Sequence, residues 1–149
     1  MENHVIQYET ALLAKSKGFD EPTEMYYHIY DDIDRGQSSL ESTGGCKSFL
    51  NSLNTYRCAA PEQPELQRWL RDKHNVSVEV NFSAYLGGFI PSCIKMTKRQ
   101  PGIGAYLEAV GTTIAVMPRL TYEQALEVGL ARALEVIEPK QNKNQYPRI

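Results

Sequence analysis

The clearest pattern of apolar and polar residues runs from Leu120 to Pro139. Its apolar positions recur at helical spacing, at Leu126, Leu130, Ala133, Leu134 and Ile137. That spacing places them on one face of an α-helix. Thr121 followed by Gln124 has the form of a capping box, which marks a helix start, and Pro139 cannot continue a helix because it lacks a backbone N–H. We predict a helix with one face directed at a core.

A second pattern is strict alternation between residues 76 and 82. The apolar positions are Val76, Val78, Val80 and Phe82, and the polar positions between them are Ser77, Glu79 and Asn81. Side chains of a β-strand point alternately to the two sides of a sheet, so this pattern predicts a half-buried strand. The polar positions then face water, which predicts a sheet that is covered on one side only.

Two further helices are predicted from shorter patterns. Residues 5–17 carry apolar positions along one face, and Gly18 followed by Phe19 is typical of a Schellman ending. Residues 61–74 carry a narrow apolar stripe that includes Trp69, which is the only tryptophan of the chain. We interpret that indole as part of the core.

The remaining strands are predicted less directly. The aromatic run at residues 25–30 is typical of a strand. Residues 85–97 are predicted to form an irregular or bulged strand, because two glycines and Pro91 interrupt the apolar positions. Residues 106–117 are predicted to form a strand that is broken at Gly111.

These elements predict an α+β fold with two layers, in which helices cover one face of an antiparallel sheet. The core has the order α-β-β-(β)-α and spans residues 61–138. An acidic helix-strand segment, residues 1–45, is packed on the core or appended to it. Residues 46–60 are predicted to be a loop, and residues 139–149 a frayed polar tail.

Composition fits a soluble cytoplasmic protein. Apolar residues make up 42% and charged residues 23% of the 149 positions, which is ordinary for a globular domain. No run of about 18 apolar residues is present, and the start lacks the pattern of a secretory signal. The three cysteines are an odd number with wide spacing, which favours reduced thiols: Cys46, Cys58 and Cys93.

Charge is unevenly distributed along the chain. The first 45 residues hold nine acidic and three basic residues, and the remainder holds nine acidic and thirteen basic ones. The basic excess makes nucleic-acid binding an alternative function. Its phosphate contacts would be Arg68, Arg71, Lys98 and Arg99. The predicted element order also occurs in double-stranded-RNA-binding domains, but the last helix begins without the basic cluster that such a domain would need.

No motif for catalysis or metal binding has the required spacing. The acidic turn at residues 31–36 lacks the rest of a calcium loop, and residues 44–48 lack the glycine spacing of a phosphate loop. The histidines show no zinc-site spacing with the cysteines and no required proximity to them: His4, His28 and His74. We predict no cofactor, no metal and no catalytic residues. A cysteine-dependent enzyme is a second alternative.

Tyrosines in the predicted strand at residues 25–30 are candidates for a protein-contact surface: Tyr26, Tyr27 and Tyr30. Tyrosine is enriched at protein interfaces. The competing interpretation is that these rings pack within the sheet.

Three blocks of the chain resemble recurrent blocks of small proteins from prophages and mobile elements of gut bacteria. The blocks are residues 9–22 (ETALLAKSKGFDEP), Ala60-Pro61 with residues 66–71 (LQRWLR), and residues 121–134 (TYEQALEVGLARAL). They are packing and capping patterns, and that family has no assigned catalytic residues to carry over. We therefore predict a non-catalytic binding or accessory protein of a phage or mobile element in the bacterial cytoplasm. It would act through contacts with an unknown protein or by self-association, and not at a membrane.

Overall fold

The structure is a computed structural model, and it describes residues 4–29, 40–96, 107–109 and 120–138. These residues form an α+β fold with two antiparallel sheets of three strands each. The helices are α1 (Tyr8–Ser16), α2 (Gln63–His74) and α3 (Tyr122–Val136). The strands are β1 (Met25–His28), β2 (Leu40–Ser42), β3 (Arg57–Ala59), β4 (Val76–Ser83), β5 (Gly88–Met96) and β6 (Leu107–Ala109). The strand orders are β2-β1-β3 and β4-β5-β6.

The predicted C-terminal helix is confirmed. Its capping box is present: the Gln124 N–H donates to Thr121 Oγ1 (3.2 Å), and the Thr121 N–H donates to Gln124 Oε1 (3.0 Å). The helix ends at Val136, and Ile137 already has an extended backbone with φ −84° and ψ 149°. Pro139 lies outside the described residues. The helix therefore stops before the proline.

One face of α3 packs on β4 and β5, as the apolar stripe predicts. All five stripe residues are buried: Leu126, Leu130, Ala133, Leu134 and Ile137. Gly129 marks a close approach, because a Cβ at this position would lie 2.7 Å from Val78 Cγ1 and 3.0 Å from Pro91 Cβ. The absence of a side chain at Gly129 is what allows the helix to lie this near the sheet.

The hairpin of β4 and β5 is regular. Its register runs through eight consecutive pairs from Val76↔Lys95 to Ser83↔Gly88. The prediction of an irregular or bulged second strand is therefore wrong. Proline has no N–H to donate, so it is tolerated in a strand where no neighbouring strand needs that hydrogen bond. The described part of β6 pairs only with Ile94, Lys95 and Met96, which lie beyond Pro91. The rest of the strand predicted at residues 106–117 lies outside the described residues.

The segment predicted as a loop at residues 46–60 contains more structure than its composition indicates. It holds a short 3-10 turn at Asn51–Leu53 and strand β3, and Phe49 and Cys58 are buried. The buried Asn51 side chain anchors it: its Nδ2 donates to Phe19 O (2.8 Å), and its Oδ1 accepts from the Ala59 N–H (2.8 Å). A strand of three residues is too short to show alternation. Strand β3 is held by pairing with β1 and, in addition, by the Asn51 side-chain amide.

The predicted Schellman ending of α1 is confirmed. Gly18 has φ +93°, the Phe19 N–H donates to Ala14 O (3.0 Å), and the Gly18 N–H donates to Lys15 O (3.1 Å). Phe19 is buried, and its ring meets the buried Trp69 ring edge-on at 5.2 Å between centroids. The tryptophan is thus a core residue, as predicted.

A buried carboxylate joins the three helices. Glu127 of α3 accepts hydrogen bonds from the Gln7 N–H (2.7 Å), from Thr10 Oγ1 (2.7 Å) and from Gln63 Nε2 (3.0 Å). A buried charged group is tolerated when hydrogen bonds replace its lost hydration. Glu127 therefore connects the start of α1 and the start of α2 to the middle of α3. No helix in the described part of the chain has the length and apolar character needed to cross a membrane.

Candidate functional site

The predicted tyrosine surface is divided between the two sides of β1. Neighbouring strand residues face opposite sides of a sheet. The Tyr26 ring stacks on Phe49 at 4.7 Å between centroids, whereas the Tyr27 hydroxyl points the other way and donates to Ile6 O (2.7 Å). Tyr30 lies outside the described residues. Tyr26 and Tyr27 are therefore not brought together on one surface.

Tyr26 belongs instead to a polar cluster on the open side of the first sheet. Glu41 of β2 accepts a hydrogen bond from the Tyr26 hydroxyl (3.0 Å) and lies 2.8 Å from His28 Nε2. The hydrogen bonds from His28 and Tyr26 lower the pKa of Glu41, and the hydrogen bond to Glu41 raises the pKa of Tyr26. The Arg57 guanidinium lies 5.3 Å from the centre of the Tyr26 ring. The contacts of Glu41 with Tyr26 and His28 tie β2 to β1.

The described half of the predicted nucleic-acid set lies on α2. Arg68 and Arg71 are exposed and three residues apart, so they share a helix face. Each has an acid nearby: Arg68 Nη2 is 3.9 Å from a Glu21 carboxylate oxygen, and Arg71 Nε is 3.5 Å from Asp72 Oδ1. These neighbours weaken the local positive field. Lys98 and Arg99 lie outside the described residues.

The thiols lie in two different environments. Cys46 is exposed, whereas Cys58 and Cys93 are buried. Burial raises the pKa of Cys58 to about 11 and also raises the pKa of Cys93. Since the thiolate is the nucleophile, burial disfavours the reactive form of both of these groups. Within the described ranges, no group of three His, Cys, Asp or Glu side chains could hold a metal ion.

A cleft of about 530 Å³ lies where the ends of α1 and α2 meet the residues after α3. The buried Trp69 and the half-buried His74 form part of its wall, and burial lowers the pKa of His74. The charged lining residues have both signs: Lys17, Lys73, Asp20, Glu21 and Glu138. Lys17 already donates to a backbone carbonyl, Ile137 O, at 2.9 Å. Because positive and negative side chains both line the cleft, its charge favours neither anionic nor cationic ligands.

Exposed aromatic side chains gather at the turn end of the β4–β5 hairpin. Phe82 is 63% exposed, Tyr85 96% and Tyr122 43%. Phe89 links two of them edge-on, with ring centroids 5.4 Å from Phe82 and 5.7 Å from Tyr122. We call these four residues the aromatic tip: Phe82, Tyr85, Phe89 and Tyr122.

The local sequence explains this geometry. Phe82 continues the alternation of β4 and so faces the same side as the buried Val76 and Val78. Helix α3 begins only at Tyr122, and the Phe89 N–H donates to Leu120 O (3.1 Å) just before it, so the hairpin extends past the end of the covering helix. Gly87, with φ +66°, closes the turn and donates to Ser83 O (2.9 Å).

Residues 80–94, which include the whole turn, contain no acidic or basic residue, and this is the longest such stretch in the chain. The aromatic tip was not predictable from the pattern of apolar residues, because alternation shows which side Phe82 faces but not where the covering helix stops. The stretch without charge was the available signal.

None of the family models, curated proteins or solved structures compared with this chain matches it, so no residue role is transferred from another protein. Among the surface features of the described residues, the polar cluster, the α2 arginines and the cleft all carry charged groups. The aromatic tip differs from them because it is exposed, apolar and uncharged.

Proposed function

We propose that this chain is a non-catalytic binding protein that acts through protein contacts, with the aromatic tip as its contact surface. The observation that carries the proposal is the exposure of Phe82 and Tyr85 on a hairpin without charged residues, together with that of Tyr122 at the adjoining start of α3. Interface centres are enriched in aromatic residues and depleted in charged ones. Contiguous exposed apolar surface marks interaction sites.

Three rings of the aromatic tip, Phe82, Phe89 and Tyr122, are also held in a fixed arrangement. Eight consecutive strand pairs hold β4 against β5, and the Phe82, Phe89 and Tyr122 rings support one another edge-on. A surface that is ordered before binding loses little conformational entropy on association. Rigid aromatic anchors of this kind are typical hot spots, where truncation weakens binding by about 2 kcal/mol or more.

The biological setting that we propose is a phage or mobile element of gut bacteria. Support comes from the three resembling blocks, which overlap α1, α2 and α3 and thus the helical scaffold. Three of the four residues of the aromatic tip lie between the second and third blocks, and Tyr122 lies at the start of the third. In this proposal the blocks build the scaffold, and the hairpin between them supplies the surface that a partner recognises.

The test is a comparison of co-purified proteins. The tagged chain is expressed in a gut bacterium together with an untagged copy, as wild type, as Phe82→Ser/Tyr85→Ser, and as Leu53→Ser/Tyr56→Ser. The last variant is the matched control, since Leu53 is 77% and Tyr56 73% exposed on a different part of the surface. We expect a partner, either a host or phage protein or the untagged copy, that is lost at least tenfold in the Phe82/Tyr85 variant and retained in the control.

Two results would contradict the proposal. One is that no protein co-purifies specifically with the wild-type chain. The other is that the same proteins co-purify with all three forms in equal amounts. Circular dichroism of each purified variant establishes that the folded state is retained, so that a loss of partner reports on the surface.

A further inference from the structure

We infer that the backbone of residues 54–57 forms a binding site for a monovalent cation, and that the chain fills this site with its own Lys15 ammonium group. The site would take potassium, ammonium or a small primary alkylammonium ion in place of the lysine. Lys15 lies in the last turn of α1, and residues 54–57 connect the 3-10 turn to β3. The inference is independent of the aromatic tip, which belongs to the other sheet.

Three main-chain carbonyl oxygens converge on the Lys15 Nζ. The ammonium donates to Asn54 O, to Arg57 O (2.6 Å) and, at the longer distance of 3.5 Å, to Thr55 O. All three acceptors come from four consecutive residues, so one short piece of backbone curves around a single nitrogen. A lysine ammonium has three N–H donors, which matches the number of oxygens.

The ligand type decides which ions fit. Neutral carbonyl oxygens replace the water around a potassium ion in selective sites, whereas calcium and magnesium sites usually also contain carboxylates. No acidic side chain of the described residues forms an ion pair with Lys15. The charge is therefore balanced by peptide dipoles, and burial lowers the pKa of Lys15 because the ammonium has lost part of its water.

The position of the amine on α1 gives the site its role. Carbonyl oxygens that face one point repel one another unless a cation lies between them. Because Lys15 carries that cation, it joins the end of α1 to Arg57 at the start of β3. The link then does not depend on the ions around the protein. Removal of the amine would leave the same three carbonyls for a free ion.

The test is chemical rescue of Lys15→Ala in the purified full chain. Urea denaturation is followed by circular dichroism in about 0.5 M ammonium, methylammonium, potassium or N-methylglucamine chloride, so that screening is the same throughout. N-methylglucamine is too large for the site and provides the reference. We expect the three smaller ions to stabilise Lys15→Ala; a dissociation constant of about 0.1 M would raise its ratio of folded to unfolded protein about sixfold.

Three forms of the chain serve as controls. The wild-type chain should show no such difference between the salts, because its own amine fills the site. Lys17→Ala should show none either, since Lys17 donates to the single carbonyl of Ile137 and its removal leaves no converging set. Lys15→Met lacks the charge but still occupies the space, so the ions should not restore its stability.

The inference is overturned if the smaller ions stabilise Lys15→Ala no more than they stabilise the wild type and Lys17→Ala. It is also overturned if Lys15→Met responds to them as strongly as Lys15→Ala does. If Lys15→Ala does not fold in N-methylglucamine chloride, refolding from urea into each salt decides the question. Folding in the smaller ions alone supports the site, and a chain that stays unfolded in every salt overturns it.

Discussion

Replacement of Gly129 by alanine tests the packing of α3 on the second sheet. The new Cβ would lie 2.7 Å from Val78 Cγ1 and 3.0 Å from Pro91 Cβ, whereas carbon atoms in contact prefer about 3.5–4.0 Å. Helix or sheet must move by up to about 1 Å to restore that separation. Val78 is β-branched and stiff at χ1, and the Pro91 ring is fixed on β5, so neither side chain can rotate away.

Two opposing effects determine the change in stability. Alanine is favoured over glycine within a helix by about 1 kcal/mol. Overpacking a core costs about 1–3 kcal/mol, and the Gly129 site lies towards the upper end because both neighbours are rigid. We expect Gly129→Ala to lower the free energy of unfolding by about 1–2 kcal/mol, which corresponds to a Tm lower by roughly 2–8 °C for a domain of this size.

Urea denaturation followed by circular dichroism measures this change. Val128→Ala, at the exposed neighbouring position, changes helix propensity without the clash and should stay within about 0.5 kcal/mol of wild type. In a Val78→Ala background, Gly129→Ala should destabilise less than in the wild type, because the contact with Val78 Cγ1 is removed and only that with Pro91 Cβ remains. A Gly129→Ala protein at least as stable as wild type would refute the close approach of α3 to β4 and β5.

Three further predictions concern buried and exposed polar groups. Glu127→Gln places an amide N–H₂ among donors that need an acceptor, and we expect a loss of about 2 kcal/mol in urea denaturation. The Cys58 thiol stays neutral in the folded protein because burial raises its pKa from 9.0 to about 11, whereas the unfolded chain ionises from pH 9.0 upward. This group should therefore leave the stability unchanged below pH 9.0 and lower it between pH 9.0 and about 11, which urea denaturation over a pH series would measure. A thiol reagent at neutral pH should label Cys46 alone until the protein unfolds. For the nucleic-acid alternative, we expect no binding of duplex or single-stranded oligonucleotides at about 50 mM salt, and binding that weakens in Arg68→Ala/Arg71→Ala would instead favour that function.

Long periodic patterns made the scaffold predictable from the sequence. The apolar stripe of α3 and the alternation of β4 each repeat over several residues, so helix, strand and buried face could all be read. The Schellman ending at Gly18 was predictable because its chemistry is local. In the first sheet, the aromatic run predicted the strand that contains β1. Strands β2 and β3 were not predictable, since each has three residues, and the Asn51 bonds that hold β3 near Phe19 leave no pattern in the sequence.

The exposure of the aromatic tip depends on where elements end in space, and periodicity does not encode this. Phe82 follows the same alternation as the buried Val78, yet it lies beyond the first residue of α3 and is exposed. Tyr26 and Tyr27 illustrate the converse. Both were grouped by composition as one surface, and strand geometry sends them to opposite sides of the sheet.

Site-specific photo-cross-linking in cells is the most direct test of the proposal that the aromatic tip contacts a protein partner. A benzoylphenylalanine replaces Tyr85 in one form of the chain and Tyr56 in another; both side chains are strongly exposed, but only Tyr85 belongs to the aromatic tip. Contact through the tip predicts a discrete covalent adduct from position 85, of dimer size if the partner is a second copy, and none from position 56. No adduct from position 85, or equal adducts from both positions, would contradict the assignment of the aromatic tip as the contact surface.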